Sequence, residues 1–201
     1  MPVKLKRIMA VFVMFLAGLL VFVAYQGTTL AAYDYFTNNT KNYYGVTYQK
    51  FWTVDSALGS TVNNAMYTWN SSNGTGIYTN MNIQATSNRS QSIMDFVRSN
   101  DIIYIDDKNV AMGQTANDGR VGDAAFASNW GCSTITIYNI PWNQNPNKQQ
   151  ACAAHEIGHA LGLLHNPGWG ANGSIMFPSV TNMNITGPTG HDMKGVKYLY
   201  G

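Results

Sequence analysis

The eleven residues His155-Glu156-Ile157-Gly158-His159-Ala160-Leu161-Gly162-Leu163-Leu164-His165 hold three of the four histidines in this 201-residue chain. His155 and His159 are four apart. On a helix that spacing stacks both imidazoles on one face, one turn above the other. Their nitrogens can then meet a single zinc ion at about 2.0–2.1 Å. Glu156 projects about 100° further round the helix, beside such an ion but not among its ligands. A zinc that does chemistry takes three protein ligands and keeps one position open. His165 is the third candidate, ten residues beyond His155. In an unbroken helix it would lie about 15 Å further along the axis. Gly162 removes that obstacle, because glycine takes the left-handed conformation that ends a helix and lets the chain turn back.

The competing reading is a helix whose histidines are ordinary surface polar residues. Five fixed positions make it weak. With average residue frequencies, chance gives this pattern in on the order of one in a hundred thousand chains of this length. His155, His159 and His165 are therefore the candidate metal ligands, and Glu156 is the candidate catalytic group.

Periodicity places this segment in an α+β chain. Tyr44, Val46 and Tyr48 alternate and suggest a first strand. An amphipathic helix opened by Asp55 or Ser56 follows, with Leu58, Val62, Ala65, Met66 and Trp69 on one face. Ile77, Met81, Ile83 and Ala85 share a parity and suggest a strand, as do Ile102 to Ile105 and Thr134 to Ile140. Asn109 to Ala127 reads as irregular. Asn145 as cap and Pro146 at the first helical position open the histidine-bearing helix. A short terminal helix carries Met193, Val196 and Leu199, and Thr189 with Asp192 has capping-box spacing. The expected architecture is one α+β domain, a mixed sheet packed on the histidine helix, over residues 32–201.

Residues 1–31 read as a secretory leader. Lys4, Lys6 and Arg7 precede an apolar run from Ile8 to Ala24, and Thr29-Leu30-Ala31 suits cleavage. A retained anchor is the alternative, with the run at the lower edge of a bilayer span. Without the leader, nine basic residues face ten acidic ones. No basic patch remains to argue for nucleic acid. A secreted monomer is the expected state. Cys132 and Cys152 are the only cysteines, and in an exported chain the default is one disulfide between them.

The segment from His155 to His165, followed by Ser174-Ile175-Met176-Phe177-Pro178, resembles the metzincin zinc peptidases. Among these the chain is most similar to the matrixins. Asp101-Ile102-Ile103-Tyr104-Ile105 is similar to a matrixin strand opening, and Asp192 to Gly201 to the matrixin terminal helix. The resemblance implies a zinc endopeptidase in which Met176 packs under the ligands and Glu156 is general base to a zinc-bound water. It also implies an extended substrate on a sheet edge near Gly122 to Ala127, with a pocket wall from Pro178 to Thr186. Matrixins often hold a second, structural zinc, but here only His191 is spare, so one zinc is expected. Asp106, Asp107, Asp118 and Asp123 lie where the family places calcium and zinc loops. They read as Ca2+ ligands or as ordinary turn aspartates. The family's cysteine-bearing inhibitory propeptide has no counterpart between Tyr33 and Tyr43. Two other readings stay open: a zinc-binding module without peptidase activity, and a zinc amidase acting on cell-wall peptides.

Overall fold

The computed structural model describes residues 37–103, 111–139, 145–179 and 183–201, all within the compact unit Tyr35–Gly201. The proposed leader and the alternative anchor lie outside the described residues. Among those described, no helix is long and apolar enough to cross a membrane.

Five strands form one mixed sheet: β1 Gln49–Thr53, β2 Ile83–Ala85, β3 Met94–Ser99, β4 Gly113–Asn117 and β5 Ser133–Tyr138. Their order is β2-β1-β3-β5-β4, parallel throughout except for β4. β4 runs antiparallel to β5, from Gly113 opposite Ile137 to Asn117 opposite Ser133, and forms one edge. Phe51, Met94, Phe96, Ile135 and Ile137 point from the sheet into one core. Among the described residues three α-helices cover it: α1 Gly59–Asn70, α2 Pro146–Ala160 and α3 Gly190–Tyr200.

The helices form where the sequence reading puts them. Asp55 caps a 3-10 turn, Ser56–Leu58, that leads into α1. Leu58, Val62, Ala65, Met66 and Trp69 are all buried. Asn145 accepts from the amides of Asn147 and Lys148, and Pro146 opens α2. The run Ala151-Cys152-Ala153-Ala154 has no bulk, so α2 lies close against its neighbours and is buried from Ala151 to Gly158. The Trp69 indole N–H donates to the Ala154 carbonyl at 3.0 Å and ties α1 to α2. In α3, the Thr189 amide donates to the Asp192 carboxylate at 2.7 Å, half of the capping box read from the spacing.

The strand read at Thr134 to Ile140 forms as β5, Ser133–Tyr138, but the others depart from the reading. Residues 44–48 are not a strand. Tyr44 and Tyr48 stand in solvent, and Tyr48 takes a positive φ of 58°, which breaks an extended run. β1 begins one residue later. Of the Ile77 to Ala85 alternation only Ile83–Ala85 pairs. Ile102 and Ile103 are exposed and outside any strand, while Tyr104 and Ile105 lie outside the described residues. The strand is β3 instead, whose second residue, Asp95, interrupts the apolar pattern. That carboxylate is buried against Arg89 at 2.7 Å. The stretch read as irregular contains β4, and Gly122–Phe126 is a 3-10 helix rather than the sheet edge.

The expected disulfide is corrected. Cys132 and Cys152 are free thiols. Cys152 lies on α2 against Gly113 of β4, where a Cβ would come within 2.9 Å of its Sγ. Gly113 faces Ile137, whereas Cys132, just before Ser133, lies five residues back along the chain. At the usual strand rise this is roughly 16 Å, beyond the reach of a disulfide without backbone movement. Burial also pushes the Cys152 thiol pKa well up. Denatured, unreduced protein should therefore take up two equivalents of an alkylating reagent. An intact mass two protons lighter, with no alkylation, would contradict this arrangement.

Candidate metal centre

The last turn of α2 builds the site. Gly162 has φ of 100°. Its amide donates to the His159 carbonyl at 3.0 Å, and the Leu163 amide reaches back to the Gly158 carbonyl at 2.9 Å. This pair of bonds is a Schellman closure. It reverses the chain and brings His165 back over the helix. A side chain at 162 would also strike the Thr40 carbonyl, 2.5 Å from an added Cβ. The glycine is required twice, for its φ and for the close approach.

Three imidazoles converge as a result. The Nε2 atom of His155 lies 3.1 Å from that of His159 and 3.3 Å from that of His165, and the last two are 3.3 Å apart. His155 Nδ1 donates to the Ile175 carbonyl at 2.7 Å and His159 Nδ1 to the Leu163 carbonyl at 2.8 Å. A carbonyl can only accept, so the Nδ1 atoms carry the protons and the Nε2 lone pairs face one another. Burial, and then the neighbouring histidines, hold the His155 pKa well below its usual range. The same causes bring His159 down to about 3, and burial lowers His165. Neutral rings are what a metal needs. A tetrahedron with zinc–nitrogen bonds of about 2.0–2.1 Å has edges of about 3.3 Å, so the donor triangle fits zinc. Among the described residues this is the one cluster of three or more His, Cys, Asp or Glu that could hold a metal ion.

Glu156 follows His155 on the same turn of α2. It is buried, and burial raises its carboxyl pKa to about 7 against the opposing pull of a Thr115 hydrogen bond. The Thr115 hydroxyl lies 2.7 Å from Oε2. Met176 is buried, with its sulfur against the α2 backbone at Gly158. Its loop is fixed from α3: Asp192 accepts from the Ser174 hydroxyl at 2.5 Å and from the Ile175 amide at 3.0 Å. Phe126, from the 3-10 segment, packs edge-on to His159 with centroids 5.9 Å apart.

A family model for the matrixins matches residues 35–201. The chain belongs to the matrixin family. Interstitial collagenase of Bos taurus is 33% identical over 94 residues, covering 46% of this chain but only 18% of the bovine protein. The matrixin fold accounts for the mixed sheet and terminal helix, and the family implies zinc as the metal.

Other singled-out residues fall elsewhere. His191 stacks on Trp169, with centroids 3.7 Å apart. Asp118 accepts from the Gly131 and Cys132 amides at 3.0 Å, as a turn aspartate does. Asp123 opens the 3-10 helix, and Asp106 and Asp107 lie outside the described residues. The part of the expected wall from Met183 to Thr186 is anchored to α2, through Gln150 to the Thr186 carbonyl at 3.1 Å and Lys148 to the Met183 carbonyl. The sequence reading missed the Ile175 and Leu163 carbonyls and Thr115. No residue-type signal marks a backbone acceptor, and Thr115 lay in a stretch without apolar alternation.

Replacing Gly162 with Ala should destabilise the protein and loosen the site together. Left-handed backbone costs an alanine roughly 1–2 kcal/mol, before the clash with Thr40. Denaturant unfolding of metal-free protein should show at least that loss, with zinc affinity in a competition titration down tenfold or more. Unchanged stability and affinity would mean the turn does not depend on glycine.

Proposed function

We propose that this chain is a secreted, monomeric zinc endopeptidase acting on proteins or peptides. The observation that carries the reading is the triangle of Nε2 atoms, 3.1–3.3 Å on a side, on the same helix as the buried Glu156. His155, His159 and His165 would hold the zinc. When bound, zinc would polarise the scissile carbonyl and acidify water.

The chain's own groups supply the rest. Glu156 is general base: it takes a proton from the attacking water as that oxygen bonds to the carbonyl carbon. It then returns the proton to the amine nitrogen as the C–N bond breaks. Acid and amine result, with no covalent intermediate on the protein. The outer side of β4 is a sheet edge, and an extended substrate would add to it through backbone hydrogen bonds. This relocates the docking edge from Gly122–Ala127 to Gly113–Asn117. The segment after Met176 would shape the pocket past the scissile bond. Export rests on the leader composition of residues 1–31.

Glu156→Gln separates binding from catalysis. The change is nearly isosteric, so the protein should fold and keep one zinc. Peptide cleavage should fall by at least about a hundredfold, because general-base removal typically costs 10²–10⁴. Cleavage at the normal rate would eliminate Glu156 as the base. Loss of the zinc would make Glu156 a ligand and contradict the coordination described.

A further inference from the structure

Two residues of the edge strand close on the Glu156 side chain. Thr115 and Gly113 are two apart on β4, so they face the same side of the sheet, toward α2. The Thr115 hydroxyl is buried, 2.7 Å from Glu156 Oε2 and 2.9 Å from the Glu156 carbonyl oxygen. A hydroxyl has a single proton to donate. The carbonyl, four residues before the end of α2, is placed to serve the helical ladder. The carboxylate is the stronger acceptor. The proton therefore goes to Oε2, which leaves Oε1 as the oxygen not held by Thr115.

Gly113 bounds the same group from the other side. A Cβ there would stand 2.7 Å from Glu156 Cγ, 3.0 Å from Oε1 and 2.9 Å from Cys152 Sγ. Glu156 occupies the space that the missing side chain leaves. Its carboxylate is thus fixed by one donor and one gap, both on the strand along which the substrate would lie.

We propose that Thr115 is a positioning residue that aims the Glu156 carboxylate, with Gly113 leaving the room this orientation requires. The inference rests on Glu156 being the general base. It adds that the docking strand itself sets the direction of the base. A backbone pairing on the outer side of β4 and the hydroxyl on its inner face then hold substrate and base to one rigid element. Orientation of this kind carries rate: a misplacement of about 1 Å can cost on the order of a hundredfold.

The test is a kinetic comparison of zinc-loaded full-chain variants. Thr115→Val keeps the shape and loses the donor. It should lower kcat by roughly ten- to a hundredfold and leave KM within about twofold, since the backbone edge and the triad are unchanged. Thr115→Ser, which restores the hydroxyl, should regain most of the lost kcat. Gly113→Ala, which displaces the same carboxylate without touching the donor, should also lower kcat with zinc retained. A purely structural tie between β4 and α2 would instead lower the melting temperature and the active fraction, with kcat per active site unchanged. That result, or wild-type kcat in Thr115→Val, would overturn the inference. So would a serine variant as impaired as valine. If Thr115→Val does not fold, a folded Gly113→Ala protein with wild-type kcat overturns it alone. A fully active Glu156→Gln protein would instead remove the general-base reading on which this one stands.

Discussion

Three imidazole Nε2 atoms converge within 3.1–3.3 Å of one another, and those of His155 and His159 present lone pairs because their Nδ1 protons go to carbonyls. Such convergence is unfavourable unless a cation sits among the rings, and the surroundings enforce it. The helical spacing of His155 and His159 supplies two of the rings, and the reversal at Gly162 supplies the third. Each helical ring is then locked by a backbone carbonyl, Ile175 for His155 and Leu163 for His159. Because both carbonyls take the Nδ1 proton, the metal-facing nitrogens are left as acceptors. Burial keeps the rings neutral. Much of the molecule can be traced outward from that requirement.

The Leu163 carbonyl is in place because the Gly162 turn places it, and the turn is possible because Thr40 lies against a glycine. The Ile175 carbonyl is in place because Asp192, buried at the start of α3, holds the Ser174 hydroxyl and the Ile175 amide. That same carboxylate caps its own helix through Thr189. One charged group thereby joins the terminal helix, the Met176 loop and a metal-facing imidazole. On the opposite side, β4 meets α2 through Thr115 and Gly113, so the sheet edge and the proposed base share a contact. The small residues Ala151 to Ala154 let α2 come close enough for this, and Trp69 fixes its other flank.

The helices were legible because their signals are local. Five buried residues at helical spacing, Asn145 with Pro146, and Thr189 with Asp192 each identify an element from a few neighbouring side chains. The convergence of the three histidines was legible for the same reason, since spacing four and a following glycine dictate geometry. The strands were harder. β3 carries a buried carboxylate at its second residue, Asp95, paired with Arg89, a fact about packing. β4 has no large apolar residue and is a strand because β5 and α2 flank it. The tyrosines before β1 mimic an alternation, but Tyr48 has a left-handed backbone. The cysteine pairing failed because it was argued from compartment alone, while the two thiols lie at opposite ends of the β4–β5 ladder. Thr115 escaped because its role exists only once that strand is folded against α2.

The claim on which everything else depends is that one zinc, held by His155, His159 and His165, makes this chain a peptidase. Purified full-chain protein should be titrated with zinc after chelation while cleavage of an unfolded protein substrate is followed. The account predicts no cleavage without metal, and activity rising linearly to a plateau at one zinc per chain. It also predicts that His165→Ala, lacking one of three protein ligands, needs far more zinc to reach any plateau. Cleavage that persists in the chelated protein, or a zinc-saturated protein that cleaves no peptide bond in any unfolded substrate, would contradict it.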